Sequence, residues 1–457
     1  MFDPLKNYNY DRMNHLVRKI GQDQEDSNPP TNSDRESKVF SHQKQPFNDQ
    51  NTTSVNLKFD EFIEQIEHLK PFLKNIEKFV ISHNALDEQV VSERVSSQEL
   101  KVLSQRCTEL DISCNNFSNI SHENWSFLNE EECVLRKLDA HSNRFSEWIV
   151  AINSQNGNWL SKLEVLNLNG NCLTQFLNPS LIHEPHTILS ALQILDLSNN
   201  NVTDLESLNM IVLSGHLRSL KVLHMKKNKL SGVLKNTAIN HSFKNTCLEE
   251  IYLDDNQLEQ VENSWICALP NLKVLSLAFN KLKDVEVLEP SRLEKIYLHS
   301  NEITSLDNMK GIFTDSLKVL SIHQNQITNL PNEIGHCSAS ICEITLFNNN
   351  LQRLPSNLFQ LTQIETLYLQ NNELCEISEE IGNLQNLTEL DLFNNKLTSI
   401  PSSIGKLVKM KRLCLDNNDL RTLPTDIINL TNLISFSFHG NSNLKVSPYI
   451  SMMATGL

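Results

Sequence analysis

The residue types in this chain that could do chemistry are scattered rather than gathered into a reaction centre. An enzyme would need a nucleophile backed by a base, a working pair of carboxylates or a glycine-rich phosphate cradle. The 457 residues hold only eleven glycines and contain no GxxxxGK[ST], GxSxG or HExxH sequence, so the chain reads as non-enzymatic. His299 and His323 could stand on adjacent strands roughly 5 Å apart and suit a metal ion. Their neighbours in the same column, Ala278 and Phe347, supply no third ligand. His336, Cys337 and Cys342 share one segment without the tight paired spacing of a zinc site. No cofactor or metal is expected. Recognition remains, and two sets of residues stand out for it. Tyr252, Tyr297, His299, His323, Phe347, Tyr368 and Phe393 form an aromatic set, while Asp111, Asp139 and Asp196, joined by Glu109, form an acidic one.

The elements that must position these sets are written most clearly in Leu387 to Pro401, LTELDLFNNKLTSIP. In a short strand Leu390 and Leu392 face one way while Glu389, Asp391 and Phe393 face the other. One such coil cannot bury its leucines. Stacked coils pair their strands into a parallel sheet and close a continuous core from Leu387, Leu390, Leu392, Leu397 and Ile400. Asn395 falls where the strand ends, and its amide can satisfy backbone groups of neighbouring coils. Aligned on that residue, the pattern returns at Asn84, Asn115, Asn143, Asn171, Asn200, Asn228, Asn256, Asn280, Asn301, Asn325, Asn349, Asn372, Asn395, Asn418 and Asn441, which makes fifteen coils. Residues four and two before each asparagine point away from the core, and both sets named above occupy those columns.

The phrase LxxLxLxxNxL repeated in this way resembles the leucine-rich repeat family over residues 76 to 446. That resemblance implies an α/β fold: a solenoid, curved as a horseshoe, with a parallel sheet on its concave face and helices, 3₁₀ segments or turns on its convex face. Coils are mostly 28 residues long up to about residue 256 and 21 to 24 afterwards, so a convex helix such as Ser180 to Ala191 fits the first part and tighter turns the second. The later coils also carry Leu330-Pro331, Leu354-Pro355, Ile400-Pro401 and Leu423-Pro424, with Ile334-Gly335, Ile381-Gly382 and Ile404-Gly405 preceding the next strand. This LP..IG phrase resembles the intracellular Ras-group leucine-rich repeat proteins of the Shoc/Soc scaffold and Ras suppressor type. Such a resemblance implies a cytosolic signalling scaffold whose concave face holds a small GTPase or a phosphatase catalytic subunit. The alternatives are a structural repeat protein of tubulin or ciliary assemblies and a substrate adaptor of ubiquitin ligases.

Composition bounds the rest. The chain has 40 basic and 55 acidic residues, and nearly all of the acidic excess lies beyond residue 56, so the body of the protein should repel phosphate backbones and anionic membranes. No nucleic-acid partner is expected. No stretch reaches the ~18 apolar residues of a spanning helix and the first residues lack the apolar run of a signal peptide, so a cytoplasmic location is expected. Ten cysteines scattered through the coils fit reduced thiols. Residues 1–56 are polar and read as a disordered tail, with a short helical stripe at Met13, Leu16, Val17 and Ile20. Residues 57–75 carry apolar positions at helical spacing and should cap the first coil; residues 447–457 offer a small C-terminal cover through Tyr449, Ile450, Met452 and Met453. The chain is expected to act as a monomer within larger protein complexes.

Overall fold

A computed structural model describes the backbone of residues 54–56 and, in full, residues 76–84, 86–87, 102–118, 132–146, 148, 159–176, 189–213, 217–236 and 247–451. All of these fall within one compact unit, Gln45–Leu457. The stripe at residues 13–20, the helical cap at 57–75, most of the helix expected at Ser180 to Ala191, and Met452 and Met453 lie outside the described residues.

The leucine pattern builds one parallel sheet of sixteen strands taken in chain order, and most of these strands are three residues long. From Lys78–Val80 onward each strand of this sheet buries its central residue, as in Glu389–Asp391, where Leu390 is buried between two half-exposed carboxylates. Register is in line from coil to coil: Leu367 pairs with Leu390, Leu390 with Leu413 and Leu413 with Phe436. The core is a continuous column of Leu, Ile and Val running from Ile76 to Ile450. This is a leucine-rich-repeat solenoid fold. The sheet begins earlier than the sequence places it, because Ser54–Asn56, read as the end of a disordered tail, pairs in parallel with Lys78–Val80. At the other end Ile450 packs into the core, whereas Tyr449, expected to help cover the last coil, is exposed.

The asparagine ladder works as a bridge between coils. Asn395 Nδ2 donates to Leu392 O of its own coil at 3.2 Å and to Leu369 O of the preceding coil at 3.0 Å, while its Oδ1 accepts from Leu374 N at 3.0 Å. The residue just before each asparagine takes a positive φ, from His83 at 61° to Asn417 at 54°, with Gly170 and Gly440 in the same place. A left-handed residue costs roughly 1–2 kcal/mol when it carries a side chain. Asn199, Asn348, Asn371, Asn394 and Asn417 reduce that cost, because asparagine tolerates the region.

Convex segments of the long coils lie largely outside the described residues, which show a 3₁₀ turn at Leu160–Lys162 in one long coil and a short helix at Asn263–Cys267 in a short one. A helix at Leu205–Leu213 follows one long coil. In the short coils 3₁₀ segments recur at Asn332–Cys337, Ser356–Gln360, Glu379–Asn383, Ser402–Lys406 and Thr425–Asn429. Pro331, Pro355, Pro401 and Pro424 each precede such a segment with φ between −73° and −67°, the value the pyrrolidine ring enforces. Ser378 replaces the proline once and caps through its side chain, accepting from Glu380 N. The glycine of the phrase is a packing residue: a Cβ on Gly405 would lie 2.4 Å from Asp426 O of the next coil. One feature was not expected. Where long coils give way to short ones, Ser231–Leu234, Gln257–Val261 and Asp284–Val285 form a second, three-stranded parallel sheet. Beside it Trp265 is fully buried and donates from Nε1 to Asn209 Oδ1 at 3.2 Å, tying this region to the Leu205–Leu213 helix.

Candidate protein-binding face

Because strands alternate and stack in register, the residues four and two before each asparagine line up as two outward columns on the main sheet. Asp111, Asp139 and Asp196 stand in the first of them. Their carboxylates have local work. Asp111 Oδ1 accepts from Ser113 N at 2.9 Å, Asp196 Oδ1 from Ser198 N at 2.8 Å, and Asp139 Oδ1 from His141 N at 3.2 Å. The amide two residues on thus finds its acceptor in the side chain, which is the reason Asp or Asn recurs there. Asp391 does the same for Phe393 N at 2.9 Å. Glu109 lies at the start of its strand between Lys137, 2.7 Å away, and Lys78 at 3.4 Å; the hydrogen bond from Lys137 holds its carboxyl below the usual range.

The aromatic set is not one continuous tract. His299, His323 and Phe347, on three successive strands, stack face to face with ring centroids 4.3 and 4.1 Å apart. Burial lowers the pKa of both imidazoles, and His323, with His299 against it, is pushed down to about 3. The stack is therefore uncharged at neutral pH. Ring faces packed against one another do not converge on an ion, and no group of three His, Cys, Asp or Glu residues able to hold a metal occurs among the described residues. Phe347 is only 6% exposed, so most of its ring is spent within the stack.

Tyr252 lies apart from this stack and faces the other way along the sheet, stacking on His224 with centroids 4.6 Å apart. Buried Ser276 separates its strand from that of Tyr297. Burial raises the pKa of the phenols of Tyr252, Tyr297 and Tyr368, Tyr297 to about 12. Tyr252 and Tyr368 also donate to Glu250 and Glu389, at 2.8 and 2.9 Å. Phe393 is half-buried, with Gln370 between it and Phe347 in the column.

Two features of this face escaped the sequence reading. Phe279, immediately before Asn280, is 55% exposed and meets His299 edge-on at 5.0 Å. Its signal was a phenyl ring at a rim position that most other coils fill with Ser, Asn, Asp, Gln, Lys or Gly. Lys226 holds its charge against the neighbouring strand, with Nζ 3.0 Å from Asp254 and 4.7 Å from the centre of the Tyr252 ring.

Comparison with known proteins agrees with this architecture. A family profile described as "Leucine-rich repeat region" matches residues 366–447, and one described as "Leucine Rich Repeat" matches residues 316–337. Podocan of Mus musculus is 30% identical over 162 residues, covering 33% of this chain and 24% of podocan. The chain thus spans about a quarter of that relative's length. Among solved structures, a leucine-rich-repeat protein of Leptospira interrogans aligns with a TM-score of 0.62 at 25% identity, over 88% of this chain and 87% of the other. The crystal structure of a TDR receptor aligns with a TM-score of 0.61 at 20% identity, over 86% and 64%. The chain carries leucine-rich repeats in a leucine-rich-repeat solenoid fold, and that fold typically serves as a non-enzymatic platform for binding other proteins. No helix among the described residues is long and apolar enough to cross a membrane.

Proposed function

We propose that this protein is an interaction scaffold of cytoplasmic signalling that seats a protein partner on the outward columns of its main sheet, with the aromatic zone around Phe279 as the anchor. The observation that carries this reading is the Phe279 ring, 55% exposed and held edge-on against a rigid stack of neutral rings. Exposed aromatics on a preorganised surface gain most by being covered, and they concentrate at the energetic centres of interfaces. Tyr368 and Phe393 extend the anchor toward the C-terminal coils, and Asp111, Asp139 and Asp196 add an acidic flank that would steer a partner of opposite sign.

The ten cysteines are all free thiols, which supports a reducing compartment. The LP..IG coils make a small GTPase or a phosphatase catalytic subunit the first partners to try. Affinity capture with the full chain and with a Phe279→Ala, Tyr368→Ala, Phe393→Ala variant of unchanged circular dichroism tests the reading. It predicts a GTPase or phosphatase subunit bound by the first and lost by the second. Equal capture by both forms would place binding elsewhere on the molecule.

A further inference from the structure

On the acidic part of the same face, three residues from two neighbouring coils meet in an arrangement that partner binding does not require. Cys114 Sγ lies 3.7 Å from His141 Nε2, and His141 Nδ1 lies 2.6 Å from Asp139 Oδ1. The carboxylate can only accept, so Nδ1 carries the proton and donates it; Nε2 is left with its lone pair facing the thiol. Other thiols of the chain are placed differently. Cys107, Cys342 and Cys375 donate to the backbone oxygens of Glu109, Lys318 and Glu373, and Cys414 donates to the Asp416 carboxylate. An oxygen acceptor of that kind holds the proton on sulfur, whereas an imidazole nitrogen can take it away. Cys114 and His141 are both partly exposed, so a small molecule can reach the sulfur.

We propose that Cys114, His141 and Asp139 form a reactive thiol site whose co-substrate is a small uncharged hydroperoxide. His141 Nε2 takes the thiol proton and Asp139 positions the imidazole. The thiolate attacks the terminal OH oxygen of the hydroperoxide and the O–O bond breaks. The departing hydroxide or alkoxide takes the proton from His141 and leaves as water or an alcohol. Sulfur is oxidised by two electrons to a sulfenic acid, and the peroxide is reduced. The charged groups around the pair favour a neutral reactant. Asp139 lies on the imidazole's own strand, and Asp111 pairs with it on the preceding strand. The Glu109–Lys137 ion pair closes the start of those strands and His83 holds the equivalent rim position one coil earlier, while Asn167 and Asn169 face the pair from the following strand. Two carboxylates so close would repel an anionic disulfide or peroxyacid.

The test uses the full chain with iodoacetamide, and with hydrogen peroxide followed by dimedone, each read by peptide mass spectrometry against exposed Cys375 as internal reference. Near pH 7 Cys114 should alkylate at least about tenfold faster than Cys375. The variant His141→Gln should remove most of that advantage, Asp139→Asn should remove part of it, and peroxide should place dimedone on Cys114 of the wild type. Should His141→Gln lose its circular dichroism, the wild-type ratio and Asp139→Asn decide. Equal rates for Cys114 and Cys375, or an advantage that survives in a folded His141→Gln, would overturn the site. Fast alkylation without a dimedone adduct would overturn the hydroperoxide.

Discussion

Two stretches of the same sheet face, built on the same letters, have acquired opposite character. In the coils of Asn115 to Asn200 the outward columns are filled by Asp and Asn that complete their own turns, leaving a polar, negative surface. In the coils of Asn301 to Asn349 the second column holds the rings of His299, His323 and Phe347, which stack on one another, and burial lowers the pKa of both imidazoles. The difference teaches where freedom lies in a repeat. The inward leucines and the bridging asparagine are fixed by the need to bury core and satisfy backbone, whereas the outward columns answer only to their neighbours and to whatever binds. An account resting on that separation can be broken at either level.

The largest effect should come from the shared scaffold, and it should be alike in both zones. Asn395→Ala orphans Leu374 N, while Leu369 O and Leu392 O keep the amides of Asn372 and Asn418; Asn171→Ala likewise orphans Phe145 N, while Ala140 O and Leu168 O keep Asn143 and Asn200. At about 1–3 kcal/mol for one buried group left without a partner, each variant should lose about that much in urea unfolding. If one zone tolerates the change while the other does not, the ladder is not the common frame.

Acidification should separate the zones. His299 and His323 have folded pKa values below the ordinary histidine value, so near pH 5 the unfolded chain binds protons that the folded chain refuses, and stability rises with pH there. Its loss begins as pH falls below about 6.5 and continues toward the folded value, at up to about 1.4 kcal/mol per pH unit for each fully displaced histidine. Glu109 loses stability in the same direction, but only below the carboxylate range. A His299→Gln, His323→Gln variant should therefore flatten the stability profile between pH 6.5 and 5. An unchanged slope would mean that the rings are not buried as described.

Smaller effects sharpen the contrast. Asp196→Ala removes the acceptor of Ser198 N and should cost about 1 kcal/mol, while Asp196→Asn, which keeps an oxygen there, should cost less. Phe279→Ala exposes little and should stay within about 0.5 kcal/mol of wild type, since its ring is mostly in solvent already. Arg412→Ala, which breaks a 2.8 Å pair with Glu389 at the surface, should do no more than that.

The scaffold was largely legible in the sequence because it is dictated by position. Leu390 alternates with Asp391 because a strand does, and Asn395 recurs because each coil leaves the same backbone groups to satisfy. The 3₁₀ turns after Pro331, Pro355, Pro401 and Pro424 could likewise be anticipated from coil length and the prolines. What could not be read depends on neighbours in space. Whether His323 lies open or is clasped between His299 and Phe347 turns on ring orientation, which no spacing encodes. The seven aromatics looked like one tract because the columns were read in order, but Ser276 and Gln370 interrupt it. The second sheet at Ser231–Leu234, Gln257–Val261 and Asp284–Val285 was missed because its short alternations follow the asparagine, where the repeat letters no longer apply. Phe279 was missed because attention stayed on the strand columns, and the left-handed residue lies just past them.

The most direct measurement is the affinity of a captured partner, by calorimetry at physiological salt, for two folded variants that each alter one zone. The aromatic anchor predicts that Phe279→Ala with Phe393→Ala weakens binding by about thirtyfold or more, near 2 kcal/mol. It predicts a change of less than about threefold for Asp111→Asn with Asp196→Asn, felt mainly in the association rate. A large loss from the acidic variant with none from the aromatic one would contradict the account and move the binding centre to the N-terminal coils.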